Sequence, residues 1–70
     1  MHTSQPQSSL VMTSVDHHVA AAENHEEAAL SHRKAAAHYM YGDYQQALNE
    51  SDLAKNYGKQ AAEHCNLAME

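Results

Sequence analysis

Alanine and histidine recur at intervals of seven along the first half of the chain. Between residues 15 and 41 there is neither glycine nor proline, and alanine has the highest helix propensity of all residues. A seven-residue repeat fits a helix and not the alternation of a strand. Thr13, with Asp16 three residues later, has the composition of a capping box. We therefore predict a first helix over about residues 14–41.

A second helix is predicted to follow after a very short turn. Gly42 and Asp43 form that turn, because glycine suits the left-handed conformation at a helix end and aspartate suits the start of the next helix. The second helix is expected over about residues 44–69. So short a connection makes the two helices antiparallel neighbours. The predicted fold class is all-α, an antiparallel two-helix hairpin over residues 13–70. Residues 1–12, rich in Ser, Gln and Thr, are expected to be a flexible tail.

Each predicted helix has a face suited to packing. In the first helix, His18, His25 and His32 form a stripe at seven-residue intervals, flanked by alanines one turn away. We expect this stripe to face the core and the acidic residues of the same helix to face solvent. The second helix carries a stripe of small residues that leaves room for the bulkier histidines. That stripe consists of Ala47, Ser51, Ala54, Gly58, Ala61, Cys65 and Ala68.

A further face of the second helix predicts association with another chain. Leu53, Tyr57 and Leu67 align on it, and a lone hairpin would leave them exposed. Core material is scarce, because the 70 residues include no Trp and no Phe, and small domains bury a low fraction of their surface. We therefore expect a homodimer through these three residues that forms a four-helix bundle. Docking of a helix from another protein is the alternative. The single Cys65 excludes an intramolecular disulfide and leaves an interchain one open.

Charge and hydropathy exclude several classes of function. The formal net charge of −5, with only four Lys and Arg, argues against nucleic acid and anionic membrane surfaces as partners. No stretch approaches the roughly 20 apolar residues of a membrane span, and the first residues lack the features of a secretory signal. A cytoplasmic location is therefore expected. An enzyme is not expected, because an alanine-lined bundle offers no substrate cavity.

Histidine is the residue type that could give this chain a specific activity. Imidazole and thiolate groups bind Cu, Zn and Ni ions. Residues seven apart in one helix are separated by ~10.5 Å along its axis, so a site requires ligands from both helices. Folding the hairpin at its turn would bring His64 and Cys65 to the level of residues 21 and 22, with His18 and His25 one turn to either side. These four residues are the candidate metal ligands. Histidines that serve only in the core, and adventitious metal binding, are the alternatives.

Two segments carry resemblances to known families. Residues 41–48, Tyr-Gly-Asp-Tyr-Gln-Gln-Ala-Leu, resemble the turn of a tetratricopeptide repeat, a unit that occurs in stacked series. Residues 17–68 resemble small bacterial hairpin proteins that are rich in Ala, His and Glu. The second resemblance implies a helical hairpin paired into a four-helix bundle, and it implies no established activity. It is carried by residues 22–29, 36–39, 42–44, 53–54 and 63–64.

Overall fold

The protein folds into two antiparallel α-helices. The computed structural model describes the backbone of residues 6–69 and the side chains of residues 13–69. Helix α1 spans Pro6–Met40 and helix α2 spans Tyr44–Ala68, and the two pack against each other. The predicted all-α hairpin is confirmed. Within the described residues, neither helix contains an apolar stretch long enough to cross a membrane.

Helix α1 begins earlier than the sequence analysis predicted. Its first residue is Pro6, and proline is favoured in the first helical turn because its ring presets φ and it has no amide hydrogen to satisfy. Thr13 and Asp16 therefore lie inside the helix and not at its start. Residues 6–12, which were predicted as part of a tail, have a helical backbone. Residues 1–5 of that predicted tail lie outside the described residues.

The turn is a Schellman motif centred on Gly42. This glycine has a φ of 81°, a conformation that residues with a Cβ rarely adopt. Its amide donates to the Tyr39 carbonyl at 3.2 Å, and the Asp43 amide donates to the His38 carbonyl at 2.8 Å. These are the two hydrogen bonds of the motif. Asp43 precedes α2 as expected, but its side chain makes no capping hydrogen bond. Its carboxylate lies 3.7 Å from Nδ1 of His38 instead.

A seam of alanines holds the two helices together. Buried residues recur every seven positions in both helices, which is the repeat of a coiled coil. A methyl group at each contact lets the helix axes approach closely, but it contributes only about 0.8 kcal/mol per carbon. Among the described residues, no side chain larger than serine is buried. The buried residues are Ala21, Ala28, Ser31 and Ala35 of α1 and Ala47, Ala54, Ala61 and Ala68 of α2.

The prediction that the histidine stripe fills this seam is wrong. His18, His25 and His32 are exposed, and the buried residue next to the last of them is Ser31. Helix α1 is therefore rotated by about one residue, or roughly 100°, from the predicted orientation. Imidazole rings in the seam would hold the helices apart and would need hydrogen-bond partners. The stripe predicted in α2 is confirmed at its alanines, whereas Cys65 is exposed.

Candidate functional site

The structure brings two histidines together across the seam. Nδ1 of His17 in α1 lies 2.9 Å from Nδ1 of His64 in α2. The ring centroids are 5.1 Å apart, and the ring planes are inclined by 33°. Both side chains are half-buried. A hydrogen bond at this distance requires one imidazole to carry its hydrogen on Nδ1 and the other to present a lone pair there. Two neutral rings meet this condition, and two protonated rings do not.

This contact defines the register between the helices. His64 was expected to lie level with residues 21 and 22, whereas the structure places it beside His17. The reason lies in the turn. The Schellman motif folds the chain back over the last turn of α1, so that Asp43 lies level with His38. Each residue of α2 therefore lies beside an α1 residue about one helical turn farther from Gly42 than predicted.

Only one of the four predicted metal ligands takes part in the cross-helix contact. That residue is His64, while His18, His25 and Cys65 are exposed. The structure therefore does not assemble the predicted set. Among the described residues, no group of three or more His, Cys, Asp or Glu side chains is arranged to hold a metal ion. His17, which the sequence analysis did not select, takes the place opposite His64.

The exposed histidines share one side of the hairpin with apolar residues of α2. The rings of Tyr39 and Tyr44, one on each side of the turn, lie 6.0 Å apart, so the helix surfaces that carry them adjoin at the turn. Helical spacing assigns the other members of this surface, which we call the histidine face. It comprises Val15, His18, Ala22, His25, Ala29, His32, Ala36 and Tyr39 of α1, and Tyr44, Leu48, Ser51, Lys55, Gly58, Ala62, Cys65 and Met69 of α2.

The histidine face carries no carboxylate among the described residues. Lys55 is the only Lys or Arg residue among its members. Val15, Tyr44 and Leu48 on this face are each about half exposed or more. A broad uncharged surface of this kind is a mark of association. The acidic residues of the helices occupy other positions, namely Asp16, Glu23, Glu26, Glu27, Glu50, Asp52 and Glu63.

The opposite side of the seam carries the face predicted from the sequence for dimerisation. Leu53 and Leu67 are exposed there, and Tyr57 is half-buried. Glu27 and Lys34, both exposed, are the α1 residues at the corresponding helical positions. We call this surface the leucine face, and it consists of Leu53, Tyr57, Gln60, His64 and Leu67. Its border on α1 is charged, whereas the corresponding α1 residues of the histidine face are alanines such as Ala29 and Ala36.

The fold defines the chain as a small helical hairpin built on an alanine seam. No protein-family model, curated protein or solved structure matches it. The hairpin architecture implied by the resemblance to histidine-rich bacterial proteins is confirmed, whereas kinship with those proteins stays a prediction. Inferences about function therefore rest on the geometry of the two faces and of the histidine pair.

Proposed function

We propose that this protein is a non-enzymatic assembly module, in which two hairpins pack through their histidine faces to form a four-helix bundle. The observation that carries this proposal is the composition of the core. Within the described residues, the hairpin buries only alanines and one serine. The valine, leucine, tyrosine and methionine side chains of residues 13–69 remain at least partly accessible. A second copy supplies the surface against which they pack.

The distribution of charge favours the histidine face over the other surfaces as the dimer interface. In a two-fold contact the same patch meets itself, so that charges on the patch are brought towards their own copies. The histidine face carries only Lys55, whose long side chain can extend to the solvent. Its alanines and Gly58 permit close approach of the facing helices. These properties suit a second copy of this chain better than a strongly charged partner.

The leucine face is the competing surface. A homodimer through Leu53, Tyr57 and Leu67 is the contact predicted from the sequence, and these residues are at least partly accessible in the hairpin. A contact centred there would also bring Glu27 and Lys34 of each copy into or beside the interface, where desolvating charges costs free energy unless they pair well. For this reason we assign dimerisation to the histidine face. Docking of a helix from another protein remains the alternative if the hairpin does not self-associate.

Two matched substitutions in α2 test the assignment. Leu48 on the histidine face is 51% exposed and Leu53 on the leucine face is 45% exposed, so either can become glutamate without disturbing the seam. Sedimentation equilibrium of the full chain should show a dimer for the wild type. Leu48→Glu should raise the dimer dissociation constant at least tenfold, because carboxylates would be buried in the interface. Leu53→Glu should change it less than threefold, with circular dichroism reporting helicity in each case.

Two results would overturn the proposal. A wild-type hairpin that is helical and monomeric at tens of micromolar would exclude self-association as the function and favour a partner helix. Weakening of the dimer by Leu53→Glu that equals or exceeds the effect of Leu48→Glu would move the interface to the leucine face.

A further inference from the structure

We propose that His17 and His64 form a two-histidine site for a divalent transition-metal ion such as Zn²⁺, which joins the helices at the end remote from the turn. This proposal does not rest on self-association. His64 belongs to the leucine face, on the other side of the seam from the surface proposed for dimerisation. The site differs from the ligand set predicted from the sequence, of which it retains only His64.

The distance between the two nitrogens is close to that of a metal site. Zn–N bonds are about 2.0–2.1 Å long, so two nitrogens on a tetrahedral ion lie about 3.3 Å apart. Nδ1 of His17 and Nδ1 of His64 are 2.9 Å apart. Separating them by about 0.4 Å admits the ion, a change that small rotations of the two side chains can provide. The seam alanines need not move.

The protonation chemistry is also compatible with metal binding. In the metal-free pair, one ring places its hydrogen on Nδ1 and the other accepts it. When both rings are neutral with hydrogen on Nε2, both Nδ1 lone pairs are available to the ion. Binding therefore requires a change of tautomer in one ring and no net loss of a proton from two neutral imidazoles.

The remaining coordination positions are open. No third His, Cys, Asp or Glu side chain among those described is arranged to join the pair, so water completes the coordination shell. Structural zinc sites use four protein ligands, and a two-histidine site is correspondingly weaker. The ligands are 47 residues apart in the chain. An ion that links them closes a long loop and stabilises the native hairpin in preference to the unfolded chain.

The test is zinc binding by the full chain at pH 7.5, measured by calorimetric titration and by the thermal midpoint with zinc or with chelator. The wild type should bind one Zn²⁺ per chain and melt at a higher temperature when zinc is present. His17→Gln and His64→Gln should each weaken binding at least tenfold. The loss of zinc-binding free energy in the double variant should be smaller than the sum of the two single losses, because both residues serve the same ion.

The neighbouring residue provides a matched control. His18 is exposed and adjacent to His17, and His18→Gln should change zinc affinity less than twofold. NMR of the wild-type imidazoles should show zinc-dependent shifts at the Nδ1 atoms of His17 and His64, a measurement that does not depend on any variant folding. Equal small losses from all three substitutions would mean adventitious binding and would overturn the proposal. A tenfold loss in His18→Gln with none in His17→Gln would overturn it as well.

Discussion

Enlarging one seam residue tests whether the alanine seam holds the helices together. Ala35 is 5% exposed. Ala35→Leu would add three carbons between two helices whose buried contacts, among the described residues, are made by alanine methyl groups and one serine. Ala37 lies two residues later in the same helix, is exposed, and belongs to neither the histidine face nor the leucine face. Ala37→Leu therefore serves as the matched control. It makes the same change of side chain, with nearly the same change in helix propensity, at a position outside the seam.

The expected cost follows from the packing of the site. Inserting methylenes into a filled contact typically costs 1–3 kcal/mol, because side chains leave their rotamers and the backbone shifts. A surface substitution away from such contacts usually changes stability by less than about 0.5 kcal/mol. For a domain of this size, 1 kcal/mol corresponds to roughly 4–8 °C in thermal midpoint. We therefore expect Ala35→Leu to lower the midpoint by at least about 4 °C relative to Ala37→Leu.

Thermal unfolding followed by circular dichroism measures this difference. All chains must be compared at one concentration, because association makes the midpoint concentration-dependent. If Ala35→Leu melts at the same temperature as Ala37→Leu, or above it, the seam is not closely packed at Ala35. The close approach of the helices would then be refuted.

Two further predictions concern the two glycines. Gly42→Ala should destabilise the hairpin by about 1 kcal/mol in urea unfolding, because its φ of 81° is strained for alanine. Gly58→Ala, inside α2 with nothing within 4 Å of the added Cβ, should instead stabilise it by about 0.5–1 kcal/mol, and equal effects at the two glycines would contradict this account of the turn.

The sequence was sufficient to predict the hairpin and the seam residues of α2. A long segment without Gly or Pro, followed by Gly42 and Asp43, leaves few alternatives to two antiparallel helices. In α2, Ala47 and Ala54 are single alanines between larger residues, so the small-residue stripe has one evident position. The start of α1 was harder to predict. Pro6 competes with the polar residues near Thr13 as a helix start, and the periodic pattern extends only weakly before residue 14.

The orientation of α1 was ambiguous because its alanines occur in adjacent pairs. Residues 21 and 22, 28 and 29, and 35 and 36 are all alanine, so two faces about 100° apart are equally small. Hydrophobic periodicity cannot distinguish them. Packing against α2 distinguishes the two faces, because burying the first alanine of each pair also directs small or polar side chains such as Asn24 and Ser31 towards the seam. Burying the second would direct the imidazoles of His25 and His32 there.

The orientation of α1 also decides which histidines can meet. When the first alanine of each pair is buried, His17 turns towards α2 and His18 turns towards solvent. The displacement of the register at the Schellman turn then places His17 opposite His64. The incorrect core prediction for α1 and the separation of His64 from His18 and His25 therefore have a common origin. That origin is the rotation of α1 and the displaced register of α2. It follows that five of the seven histidines form two groups with different chemistry. One group is the cross-helix pair of His17 and His64, which can share one ion. The other is the exposed row of His18, His25 and His32, which a second hairpin can cover.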